Sequence, residues 1–112
     1  LIEEHQATHM SLVPTMANAL INYPDIAKFN LSSLRQVMLG GAASSPELID
    51  RLEKALGCEC MGGYGLTETC PVLTSARQKD TVHYADNADR LRRQAMAGWP
   101  VPGVEVRVVD DQ

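Results

Sequence analysis

Aromatic residues are scarce in this chain: one Trp, one Phe and three Tyr among 112 residues. Its core must therefore rest on Leu, Val, Ile, Met and Ala. Basic charge is short as well. Ten Lys and Arg stand against 14 Asp and Glu, for a formal net charge of −4 and a pI of about 5.2. That balance argues against a nucleic-acid or anionic-membrane surface. No apolar run approaches the roughly 20 residues of a membrane span. The opening "LIEEHQATHM" carries acidic residues where a secretory signal carries basic ones. Cysteine is limited to Cys58, Cys60 and Cys70, an odd count with a C-x-C pair. That pattern makes a poor disulfide framework and leads us to expect a reducing, cytoplasmic setting.

What is present is ordinary for a globular protein: 45% apolar and 21% charged residues. The length permits one domain. The chain opens on Leu1 inside a periodic segment and closes on "VEVRVVDDQ", a strand pattern with no local partner. We read residues 1–112 as one piece of a larger domain, with no complete second domain.

Along the chain, apolar residues at Leu12, Val13, Met16, Ala17, Leu20 and Ile21 predict a helix over 9–23, with Pro14 in its first turn. A loop follows, marked by Pro24, Asn30, Ser32 and Ser33. Arg35 to Leu39 reads as a short strand ending on Gly40 and Gly41. "SSPELIDRLEKALG" is the clearest helix. Ser45 can cap it, Pro46 fits its first position and Glu47 suits the dipole. Leu48, Ile49, Leu52, Ala55 and Leu56 form its apolar face, and Gly57 its stop. Cys58 to Met61 reads as a second strand running into "GGYG". Residues 75–97 read as a long polar surface loop with room for one helical turn. "GWPVPG" reads as a turn, and "VEVRVVD" as a half-buried strand.

The expected fold class is thus α/β: a βαβ unit of a larger parallel sheet flanked by helices, plus a C-terminal strand. Both glycine-rich loops then fall at the carboxyl ends of their strands, on one sheet edge. Ligands of open α/β sheets bind at that edge. Gly40 to Ala43 offers nearly bare backbone, and Gly63-Tyr64-Gly65 an aromatic face between small neighbours. Together they suit a planar base, with the Thr67 hydroxyl for a phosphate oxygen and the Glu68 carboxylate for Mg²⁺. A plainer alternative stands beside it: glycines that only make turns, and a Tyr64 packed in the core.

"GYGLTET", with "LRQVMLGGA" upstream, resembles the signature of the adenylate-forming (AMP-binding) enzymes. "LVPTM" and "GWPVPGVEVRVVD" are similar to flanking segments of that family in the same order. The likeness looks closest to the fatty-acyl-CoA synthetases. It implies that Gly41, Ala42 and Ala43 line one side of adenine and that Tyr64 covers the other. Gly63 and Gly65 would leave room for the acyl adenylate. Thr67 would bond a phosphate oxygen, and Glu68 would hold Mg²⁺. The implied reaction joins a fatty acid to ATP as acyl-AMP and then to coenzyme A, releasing AMP and diphosphate. Ala43 stands where many relatives have proline, a less rigid wall. The family's phosphate loop ending in lysine, its ribose-binding aspartate and its C-terminal domain with a catalytic lysine have no counterpart in these residues. We therefore expect the isolated chain to be inactive and, with open strand edges, prone to self-association. The alternatives are an adenylation domain that loads a carrier protein and a non-catalytic binding module of the same fold. Peripheral membrane contact is a possible property of the parent.

Other residues carry weaker expectations. His5, His9 and His83 lack metal-ligand spacing, and the cysteines suit packing. Leu12, Met16 and Leu20 are either core or part of an acyl tunnel. Arg90, Arg92 and Arg93 either meet coenzyme A phosphates or form a solvated surface.

Overall fold

The computed structural model describes residues 1–110. Its centre is a five-stranded sheet in the order β1 (His9–Leu12), β2 (Gln36–Leu39), β3 (Glu59–Gly65), β4 (Val72–Ser75) and β5 (Trp99–Pro100). The first three strands run parallel. β4 and β5 run antiparallel to their neighbours. Among the described residues there are four α-helices: α1 (Ile2–His5), α2 (Pro14–Ile21), α3 (Pro46–Leu56) and α4 (Asn87–Gln94).

The βαβ unit formed by β2, α3 and β3 is present as expected. α3 is written into its sequence. Ser45 Oγ accepts the Leu48 N–H at 3.2 Å, Pro46 occupies the first turn, and Gly57 takes a left-handed φ of 67° at the C-cap. Leu48, Ile49, Leu52 and Leu56 are buried on one stripe, while Ala55 is exposed, so the apolar face is narrower than the sequence suggested. Alternation on β2 sends Val37 and Leu39 to the same side, where Cys60 of β3 and Ala17 of α2 join them in one cluster. Each fully buried Val or Leu side chain here contributes about 1.5–3 kcal/mol.

Four expectations change. The helix over 9–23 is a strand followed by a helix. Val13 precedes a proline and so lies in the extended region (φ −87°, ψ 154°), and α2 starts only at Pro14. Residues 9–12 pair with β2 instead, from His9 beside Gln36 to Leu12 beside Leu39. The polar stretch 75–97 holds a two-turn helix, α4, capped by the Asp86 carboxylate, which accepts the Asp89 N–H at 2.8 Å. It buries only Leu91 and Gln94, too little for a visible hydrophobic period. The C-terminal strand is Trp99–Pro100, inside the expected turn, and residues 104–110 form no strand; Val108 and Val109 are exposed. Finally, β3 continues through "GGYG", so these glycines belong to a strand and not to a loop beyond it.

Candidate functional site

Parallel pairing sets Leu39 beside Gly62, so the segment after β2 and the last turn of β3 face each other at one sheet edge. Gly41 turns the chain with φ 79°, a conformation closed to most side chains, and leads through Ala42 and Ala43 to the cap of α3. The glycines of β3 serve close approach. A Cβ on Gly62 would meet the Met96 carbonyl oxygen at 2.5 Å, and one on Gly65 would meet the Pro71 oxygen at 1.7 Å. The register shifts between Tyr64 and Gly65, and the chain then folds back on itself.

Two cavities of about 350 Å³ each lie at this edge. The first is walled by Gly41 to Ser44, by Gly62 to Leu66 and by Ala95 to Ala97. The second is walled by Ser11, Met38, Gly40 and Gly41, by Gly63 to Thr67, and by Pro71 and Val72. Gly41, Gly63, Tyr64 and Gly65 border both. Tyr64 is 50% exposed, which removes the alternative of a core tyrosine.

The structure therefore brings together Gly41, Ala42, Ala43, Gly63, Tyr64 and Gly65 around the first cavity, and adds Thr67 at the second. Glu68 lines neither; it is exposed on the short 3₁₀ turn Thr67–Thr69. Thr69 holds that turn. Its Oγ1 accepts the Leu66 N–H at 2.9 Å and lies 2.9 Å from the Leu66 and Pro71 carbonyls, to one of which it donates. Among the described residues, no three His, Cys, Asp or Glu side chains gather into a metal site. A lone carboxylate suits Mg²⁺ all the same, because that ion is commonly held by one or two carboxylates together with substrate phosphates.

Sequence reasoning missed Gly62 and the strip Ala95 to Ala97. Their signal was glycine: Gly62 and Gly98 leave room where this segment presses on β3 and β4. A Cβ on Gly98 would lie 2.2 Å from the Ser75 backbone. The arginines are committed within the chain. Arg90 pairs with Glu53 at 2.9 Å, and Arg92 and Arg93 pair with Asp89 at 2.7 and 3.0 Å. The stripe Leu12, Met16 and Leu20 is split between β1 and α2, with Met16 exposed. Cys60 is buried, its thiol held far above the ordinary range by its hydrogen bond with Cys58 and then by burial. The half-buried Cys58 is lowered by the same bond, and Cys70 is exposed.

This fold is that of an α/β sheet with clefts at the carboxyl ends of its parallel strands. The family comparison is more specific: the model described as "AMP-binding enzyme" matches residues 1–112. The chain belongs to the AMP-binding, adenylate-forming enzyme family. It is 35% identical over its whole length to a long-chain-fatty-acid–CoA ligase of Thermus thermophilus, covering 20% of that protein. It is 40% identical over 98% of its length to a 4-coumarate–CoA ligase of Humulus lupulus, covering 19% of that protein. Among solved structures, it matches an anthranilate CoA ligase in complex with anthranoyl-AMP, with TM-score 0.79 and 27% identity over 98% of this chain and 19% of that one. The chain thus spans about a fifth of the length of such relatives.

Proposed function

We propose that the chain is the base-binding part of an AMP-forming acyl-CoA synthetase whose acid is a fatty acid. The observation that carries this is the pair of cavities that share Tyr64 and the glycine backbone as lining. In this reading the first cavity takes adenine, stacked between the Gly41 to Ala43 backbone and Tyr64. The second takes the acyl end, with Gly63 and Gly65 leaving space where the two halves join. Met38 and Val72 give that second cavity an apolar lining. The fatty-acid choice is supported by the relative named for long-chain fatty acids.

The chemistry assigned to these residues is binding and charge placement. A carboxylate oxygen attacks the α-phosphorus of ATP, and diphosphate leaves. The coenzyme A thiol then attacks the acyl carbonyl, and AMP leaves. Thr67 donates its hydroxyl proton in a hydrogen bond to a phosphate oxygen, and Tyr64 excludes water from one base face. Glu68 would hold Mg²⁺, which when bound neutralises phosphate charge during displacement. We place the parent protein in the cytoplasm, with any membrane contact peripheral.

The test is acid-dependent ATP–diphosphate exchange by the full-length protein, followed by coenzyme A-dependent thioester formation with fatty and aryl acids. Exchange with aryl acids alone would overturn the fatty-acid assignment. The 112-residue chain by itself should give no exchange, because the family's lysine-ended phosphate loop has no counterpart in it. Measurable exchange by the purified chain would refute that expectation.

A further inference from the structure

We propose that Gln94, acting with Glu53 and Thr74, positions the strip Ala95 to Ala97 as the third wall of the base cavity, and so sets the affinity for nucleotide. The inference rests on the reading of the first cavity as the nucleotide site. Gln94 is the last residue of α4 and is fully buried. A leucine there would fill space without any polar requirement, whereas a buried amide is tolerated only when its polar atoms are bonded. Both are. The Gln94 Nε2 donates to Glu53 Oε1 at 3.2 Å, and its Oε1 accepts from Arg90 Nη1 at 2.7 Å. Glu53 Oε1 also accepts the Cys60 N–H at 3.1 Å, and Glu53 Oε2 pairs with Arg90 at 2.9 Å. One carboxylate on α3 therefore ties the end of α4 to the backbone of β3, four residues before Tyr64.

The other end of the strip is fixed separately. Thr74 of β4, also buried, donates its hydroxyl to the Ala97 carbonyl at 2.6 Å. Between these two points the Met96 carbonyl comes so close to Gly62 that no side chain fits there. Ala95, Met96 and Ala97 all border the cavity. A short backbone segment is thus clamped at both ends and pressed on β3 in the middle, directly beside the proposed base. Partly buried ion pairs of this kind are poor sources of stability compared with apolar packing. What the cluster supplies is a fixed backbone position for a wall whose one large side chain is Met96.

None of these three residues borders the cavity, so each is a positioning residue. The test uses the full-length protein in acid-dependent ATP–diphosphate exchange. Gln94→Leu should raise the KM for ATP about tenfold, the scale of one or two lost buried hydrogen bonds. The KM for the acid and the circular dichroism spectrum should stay as in wild type. A purely structural role would reduce the active fraction and leave the KM for ATP unmoved. Thr74→Val should shift the KM for ATP in the same direction, and Thr74→Ser, which keeps the hydroxyl, should not. The exchange of partners, Glu53→Gln with Gln94→Glu, keeps one carboxylate, one amide and Arg90 between them. It should return the KM for ATP to within about threefold of wild type while each single change fails to. A folded Gln94→Leu protein whose two KM values are unchanged, or rise together, overturns the proposal. So does an exchanged pair no better than its single variants. If Gln94→Leu does not fold, the Thr74 variants and the exchanged pair decide. A wild-type protein without acid-dependent exchange overturns the activity reading and this inference with it. Exchange in wild type together with a flat response to these variants overturns this inference alone.

Discussion

Gly65 is where a single residue most constrains the site. The chain reverses between β3 and β4 so tightly that an added Cβ would coincide with the Pro71 carbonyl. Gly65→Ala therefore forces the turn to move, and overpacking of this kind costs about 1–3 kcal/mol. Thermal unfolding should show that loss, and adenylation should fall with it, because the same movement carries Thr67 and Glu68. Unchanged stability in the alanine variant would mean that the turn relaxes freely. Glu68 tests the charge itself. Glu68→Gln keeps shape but loses the negative charge, and loss of one such electrostatic contact lowers rates by about 10²–10³. Exchange within a few-fold of wild type across Mg²⁺ concentrations would remove Glu68 from the metal. At this scale the sequence marked residues that the fold does bring together, for partly the wrong reason. The cluster Gly63 to Gly65 was legible as special, but only Gly41 of the site glycines has a positive φ. The others are small because Met96, Thr74 and Pro71 approach them from elsewhere in the chain, and no local pattern announces those neighbours.

Elements divide by how much of their stability is local. α3 was legible because cap, proline, apolar stripe and glycine stop all lie within it. β1 was not, since its pairing with β2 is remote and Leu12 fits a helical period as well as an alternating one. α4 was hidden by its polarity, and what holds it is electrostatic. The Asp89 carboxyl is held below its ordinary range by hydrogen bonds from Arg92 and then Arg93. A folded value below the unfolded one gives stability that is complete above the ordinary Asp value of about 4 and is lost as pH falls through the lower folded value. The Asp89 carboxyl carbon, followed by NMR, should therefore titrate below that ordinary value, and Arg92→Gln should move its midpoint upward. A wild-type midpoint equal to that of an unstructured peptide would show that the pairs are not formed in solution. Because α4 ends where the cavity wall begins, acid weakening of this helix should also reduce nucleotide affinity before the parallel strands unfold.

At the scale of the whole molecule, the helices and the sheet share one hydrophobic cluster, but much apolar surface stays in water. The parallel βαβ order was legible because strand, helix and strand each carry their own signals. The antiparallel return of β4 was not, since it depends on the fold-back at Gly65. β1 stands at the sheet edge, and α2 and the loop after it expose Met16, Tyr23 and Phe29. An apolar cleft of about 580 Å³ opens between the N-terminal residues Leu1 and Ile2 and the side chains of Leu20, Tyr23, Ile26, Phe29 and Leu31. Parallel strands are normally covered on both faces, and a free edge presents unpaired N–H and C=O groups to any extended chain. At this length a chain buries only about 60–65% of its unfolded surface, so a second copy that covers the cleft or the β1 edge adds appreciably to burial. The purified 112-residue chain should therefore self-associate as concentration rises. Light scattering after size exclusion should show a mass that increases with loading, and a hydrophobic dye should bind most strongly in the dilute samples, where the surface is uncovered. A His9→Lys change on β1, exposed at the edge, should lower the associated fraction by placing a charge where another strand would pair. A strictly monomeric species at every concentration, with no dye binding, would show that the chain closes its own surface and that the exposed cleft is absent in solution.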